Sequence, residues 1–134
     1  MSLSIIVPVY NESENINPFT DRVLLVLNKI SVKYEIIFVL DPSEDDTENK
    51  ILELIKENPN IKLIKFSRRF GQPSAMLAGI KNSSMDNVVL IDVDLQDPPE
   101  LIEQMYEDRK EGYETILAKR SKKKGENIIK KNNI

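Results

Sequence analysis

Short apolar runs alternate along the chain with stretches in which apolar positions recur every three or four residues. Leu3-Ser4-Ile5-Ile6-Val7 is apolar and β-branched and stops at Pro8, which predicts a buried strand. Asn11 and Ser13 can cap a helix whose core face carries Phe19, Val23, Leu24, Leu27 and Ile30. Residues 34–40 predict a second strand, broken by Asp41-Pro42-Ser43. Residues 47–57 predict a helix through Ile51, Leu54 and Ile55, ended by Asn58-Pro59-Asn60. Residues 61–66 follow as a third strand, 67–72 as a loop with Gly71, and 73–81 as a helix through Ala75, Leu77, Ala78 and Ile80. Residues 87–92 predict a fourth strand, with Val88 to Ile91 in unbroken apolar succession. Pro98 opens a helix with Leu101, Ile102, Met105 and Tyr106 on its core face, Gly112 ends it, and 113–118 predict a fifth strand.

This rhythm predicts an α/β fold: a Rossmann-like, mostly parallel sheet of about five strands with helices on both faces. Such sheets bind ligands outside the carboxyl ends of their strands, near the point where strand order reverses. The exits to inspect are therefore residues 9–12, 41–47, 67–72, 92–97 and 119–120.

Composition narrows the chemistry. With 134 residues, 40% hydrophobic and 31% charged, the chain reads as one globular domain with no second domain or linker. It has no Cys and no His, which excludes disulfides, a Cys/His zinc site and a Ser-His-Asp triad. Any metal must sit on oxygen ligands. No apolar run approaches the ~20 residues that span a bilayer, and the N-terminus lacks a basic signal-peptide region, so the expectation is a soluble, cytoplasmic domain. The net charge of -3 is uneven: the last 16 residues hold seven of the 19 Lys/Arg and one of the 22 Asp/Glu. The acidic body argues against nucleic acid as the main ligand. The basic end suits phosphates or an anionic membrane surface, or is a solvated, partly frayed terminus.

The chemistry gathers at the strand exits. Asp92-Val93-Asp94 closes an otherwise apolar strand, and residues i and i+2 of a strand share a face. Two such carboxylates repel unless a cation lies between them, and Mg²⁺ or Mn²⁺ accepts one or two protein carboxylates together with phosphates and water. The competing role is capping of the next helix by Asp94 or Asp97. Asp41 can accept hydrogen bonds from a base or ribose, or simply make an Asx-turn. Tyr10 offers a flat face for a base and Glu12 an acceptor, although the same stretch also reads as a helix start. Arg68 and Arg69, beside Gly71 and a helix N-terminus, suit a diphosphate or plain surface ion pairs. Glu44, Asp45, Asp46 and Glu48 read as helix first-turn acids.

Together these exits resemble glycosyltransferase family 2, the GT-A nucleotide-sugar transferases. The resemblance runs through residues 5–12, 38–47, 66–71, 78–79 and 92–101, and continues from Arg120 through Lys124, Gly125 and Glu126. The stretch Asp94-Leu95-Gln96-Asp97-Pro98-Pro99-Glu100 looks most like the polyprenyl-phosphate branch, which contains the bactoprenol glucosyltransferases and is related to dolichol-phosphate mannose synthase. The resemblance implies a nucleotide pocket lined by Pro8, Tyr10 and Glu12, with Asp41 on the base, typically uracil. It makes Asp94 the surest metal ligand, with Asp92 nearer the ribose or the metal. Gln96 and Asp97 would lie near the donor sugar, and Arg68 and Arg120 near phosphates.

Two departures stand out. Pro42 occupies a position where the family usually has Gly. The chain also stops at Ile134, before the acceptor-side segment that supplies the family's catalytic carboxylate and before two membrane helices. The expectation is a nucleotide-sugar-binding part, residues 1–118, and a basic tail, 119–134. It would bind a UDP-hexose with a divalent ion for inverting transfer to an acceptor such as polyprenyl phosphate at the inner membrane face. Its catalytic residue is unknown, with Asp97 as the local candidate, and activity would be weak or absent. The alternative is a truncated, self-associating domain without ligand binding.

Overall fold

A computed structural model describes the backbone of residues 1–120 and 127–132 and the side chains of residues 1–117. The most apolar segments form its centre. β1 (Ser2–Val9) and β2 (Lys33–Leu40) pair in parallel, β3 (Ile61–Lys65) adds outside β2, and β4 (Asn87–Leu90) adds on the other side of β1. The order β3-β2-β1-β4 reverses direction between β1 and β4. Alternation along β1 and β2 serves two layers, which is why neither strand carries a polar stripe. Ile5, Val7, Ile36 and Phe38 face α1 (Ser13–Lys29), α2 (Thr47–Glu57) and, through Ile102, α4 (Leu101–Lys110). Phe19 of α1 meets Phe38 edge to face at 6.4 Å. Ile6, Ile37 and Val39 face α3 (Gln72–Lys81). That helix docks through small residues: a methyl on Gly79 would fall 2.2 Å from Cγ2 of Ile6.

Three expectations change here. The parallel sheet has four strands, because β5 (Thr115–Arg120) pairs antiparallel with β6 (Asn127–Asn132) in a separate two-stranded sheet. A partner a few residues away closes a short loop, so local pairing wins over joining the larger sheet. Residues 127–132, read as a frayed end, are thus a strand. Second, Val88 and Leu90 are 40% and 44% exposed, because β4 is an edge strand among the described residues and α3 lies over β1 and β2. Third, α3 turns Leu77 and Ile80 outward and buries Ala75 and Gly79 instead.

The amino-terminal end of the sheet is closed by a buried carboxylate. Glu35, 1% exposed, accepts hydrogen bonds from Ser4 Oγ (2.6 Å), Lys62 Nζ (2.5 Å), the Ser84 amide (2.7 Å) and Ser84 Oγ (3.0 Å). Burial pushes its pKa up, but Lys62, Ser4 and Ser84 outweigh that and hold it at about 2. Ser4 Oγ and Ser2 Oγ accept the amides of Met85 and Asp86, so the loop between α3 and β4 is tied to β1 and, through Ser84, to β2.

Candidate functional site

At the opposite end of the sheet the loops after β1 and β2 are laced together. The Asn11 amide donates to Ser43 Oγ (3.0 Å), Asn11 Oδ1 accepts the Glu44 amide (2.9 Å), and the Glu12 amide donates to Thr47 Oγ1 (3.0 Å). Neither Asn11 nor Ser13 caps α1. Asp45 takes both the Ser13 amide (3.1 Å) and the Thr47 amide (3.1 Å), the first residues of α1 and α2. Burial pushes the Asp45 pKa up, yet the bonds from Thr47 and Ser13 together outweigh it and hold it at about 2. An acid read as a helix-dipole residue is therefore a stitch between two strand exits.

These stitched loops form one wall of a cleft of about 270 Å³ at the point where strand order reverses. Pro8, Tyr10 and Glu12 enter it from β1, Asp41 from β2, and Asp92 and Asp94 from the exit of β4. Glu12 Oε2 accepts the Asn15 side-chain amide at 2.8 Å. Asp41 is 5% exposed, and its oxygens accept the backbone amides of Phe70 and Gly71, each at 3.1 Å. Gly71 has φ +89°, a conformation that favours glycine. Across the cleft, the Arg69 guanidinium lies 4.0 Å from the centre of the Tyr10 ring. Gln72 Nε2 donates to Asp92 Oδ1 at 2.6 Å.

The acid pair reaches the cleft by a different route from the one expected. β4 ends at Leu90, and Asp92 to Asp94 lie beyond it, leading into a turn. Val93, 2% exposed, points into the core and leaves its two neighbours on the cleft side. Leu95 follows with φ +63° and packs against the core, while Asp94 Oδ1 accepts the Gln96 amide at 3.1 Å. Burial raises the Asp92 pKa, and repulsion from Asp94, Asp97 and Glu12 raises it further, against the lowering effect of Gln72. The cleft floor is thus short of positive charge. Among the described residues no group of three or more acids could hold an ion by itself. Two carboxylates in one cleft suit Mg²⁺ or Mn²⁺ completed by phosphate and water, and do not suit a closed protein cage.

The remaining expected residues lie elsewhere. Arg68 stacks on Phe70 at 4.6 Å and does not line the cleft. Asp97 lines a second groove of about 660 Å³ running along β4, α4 and β5, and Gln96 is exposed. The Arg120 side chain, and Lys124, Gly125 and Glu126, lie outside the described residues. Gln72 was not singled out from sequence. Its signal was position alone, as the first residue of a helix that starts at a strand exit.

A doubly wound sheet with an acidic, ligand-sized cleft at its topological switch point defines an open α/β protein with its ligand site where that fold places one. The chain belongs to glycosyltransferase family 2: the family model, Glycosyl transferase family 2, matches residues 4–134. It is 44% identical over 132 residues to the uncharacterized glycosyltransferase YkcC of Bacillus subtilis, covering 96% of this chain and 40% of that one. It is 38% identical over 131 residues to the bactoprenol glucosyl transferase of Shigella phage SfV, covering 98% of this chain and 43% of that one. The chain thus spans about two fifths of these relatives. The GT-A fold recurs in a mannosyltransferase of Pyrobaculum calidifontis solved with GDP-Man and Mn²⁺, at a TM-score of 0.61 and 24% identity, covering 69% of this chain and 27% of that one. No helix among the described residues is long and apolar enough to cross a membrane.

Proposed function

We propose that this chain is the donor-binding part of an enzyme that transfers a hexose from a nucleoside diphosphate to a polyprenyl phosphate, with inversion. The observation that carries the reading is the meeting of Tyr10, Asp41, Asp92 and Asp94 in one cleft at the switch point. Tyr10 would support the base, and Asp41, fixed by two amides, keeps lone pairs to accept a base N–H. Asp92 would accept a ribose hydroxyl. Asp92 and Asp94 would hold a Mg²⁺ or Mn²⁺ ion, whose positive charge would stabilise the leaving diphosphate. Gln96 and Asp97 would face the sugar side and Arg120 the phosphates, whereas Arg68, stacked on Phe70 outside the cleft, takes no part in this reading. An acceptor phosphate is already anionic and needs little general-base help, so positioning is the main task. The acceptor class rests on the bactoprenol glucosyl transferase relative, and it would place the reaction at the inner membrane face.

Titration calorimetry with UDP and with GDP, with and without Mn²⁺, tests the donor reading. Binding of UDP that strengthens with Mn²⁺ is expected, and absence of binding under every condition overturns it. A second reading, self-association without ligand binding, is favoured by the exposed strip of Leu77, Ile80, Val88 and Leu90. It predicts a dimer in light scattering together with no nucleotide binding.

A further inference from the structure

Residues 67–72 touch three of the cleft side chains that the nucleotide reading assigns to the nucleoside. Arg69 covers the Tyr10 ring at 4.0 Å, the Phe70 and Gly71 amides hold both oxygens of Asp41, and the Gln72 amide holds Asp92 at 2.6 Å. Each contact has the chemistry of a nucleoside contact. A planar cation lies on an aromatic face, N–H groups meet one buried carboxylate, and a polar hydrogen meets the second. The contacts differ in how easily they exchange. Asp41 is buried, and its partners are backbone groups fixed by the left-handed Gly71, so that pair works as an anchor. Arg69 and Gln72 are exposed side chains with rotatable stems: on turning into solvent Arg69 gives up one exposed cation–π contact and Gln72 one hydrogen bond to a carboxylate.

We propose that Arg69 and Gln72 cap the cleft from within, and that Arg69 sets nucleotide affinity by competing with the base for the face of Tyr10. The proposal rests on the nucleotide reading above and deepens it: donor entry exchanges internal contacts and does not fill an open slot. The Asp41 anchor keeps residues 67–72 in place while Arg69 turns away. Base binding then carries a cost that diphosphate binding does not, because only the base needs the tyrosine ring.

Calorimetry on the 134-residue chain with Mn²⁺, using UDP and inorganic diphosphate as probes, separates the cases. Arg69→Ala is expected to bind UDP about 2- to 5-fold more tightly than wild type, the equivalent of one exposed cation–π contact. Its diphosphate affinity should not change, and the gain should vanish in a Tyr10→Ala background. Arg69→Lys, which keeps the charge but loses the plane, should fall between. Weaker UDP binding by Arg69→Ala, at an unchanged melting temperature, overturns the proposal and makes Arg69 a direct nucleotide contact. An equal change for UDP and diphosphate also overturns it. If wild type binds neither probe, the nucleotide reading fails, and this inference fails with it.

Discussion

The sheet carries a carboxylate at each end, and the two are treated oppositely. Glu35 at the amino-terminal end is buried, accepts four hydrogen bonds and is held near pKa 2. Asp92 at the carboxyl end accepts a hydrogen bond from Gln72, while burial and repulsion from Asp94, Asp97 and Glu12 push its pKa up. The same functional group on the same scaffold is saturated in one place and left in want of positive charge in the other. Saturation makes Glu35 a structural clamp. In the proposed function, Asp92 is where a cation arriving from outside would supply the missing charge.

The largest test of this contrast removes the clamp. Glu35→Ala strands Lys62, Ser4 and Ser84, and breaking a buried, hydrogen-bonded charge of this kind costs about 3 kcal/mol. For a chain of this size that lowers the melting temperature by roughly 10 °C. The affinity of whatever variant remains folded for UDP and Mn²⁺ should be unchanged, because the clamp lies at the far end of the sheet. The mirror experiment is Asp94→Asn, expected to weaken Mn²⁺-dependent UDP binding by about 10-fold or more while leaving the melting temperature within a degree or so. Calorimetry and thermal unfolding on both variants would show two separable effects. If either variant moved both readouts strongly, the two ends would be coupled and the contrast would fail.

Acid sharpens the same point. The Glu35 pKa lies below its ordinary value of 4.5, at about 2, so its contribution to stability is fully present above pH 4.5. It is lost as pH falls from there toward 2. Denaturant midpoints measured between pH 6 and pH 2.5 should fall steeply below pH 4.5 in wild type and more shallowly in Glu35→Gln.

The pattern of apolar residues was enough to read most of this scaffold. The second helix, residues 47–57, appears with the bounds read from its spacing, and the four central strands and the switch-point cleft follow from the βα rhythm. What was not legible depends on partners distant in sequence. Nothing local in Thr115–Arg120 says that its mate is Asn127–Asn132, and nothing in the run from Val88 to Ile91 says that one of its faces lies uncovered. Helical spacing put Leu77 and Ile80 in the core, but a helix pressed onto β1 must dock its smallest residues. In the site, the acid pair, Tyr10 and Asp41 were readable from their place at strand exits. The choice between Arg68 and Arg69 was not, because side-chain direction in a loop has no period to follow. Glu35 carries no local signal for a related reason: its partners Lys62 and Ser84 stand 27 and 49 residues away.

The smallest expected effect is also the most direct measure of the deficit at Asp92. Asp92→Asn keeps an oxygen for the Gln72 side chain and removes a charge that Asp94, Asp97 and Glu12 repel. Without a cation, the variant should be slightly more stable than wild type, by about 0.5 kcal/mol, as for other relieved surface charge clusters. The gain should shrink in salt, since half-exposed charges are screened over about 10 Å at 0.1 M. Mn²⁺ with UDP should then raise the melting temperature of wild type more than that of the variant, reversing their order. Thermal unfolding at low and high ionic strength, with and without Mn²⁺ and UDP, reads all of this from one instrument. If Asp92→Asn is destabilising at low salt, its carboxylate is a structural group like Glu35, and the two ends of the sheet do not differ in kind.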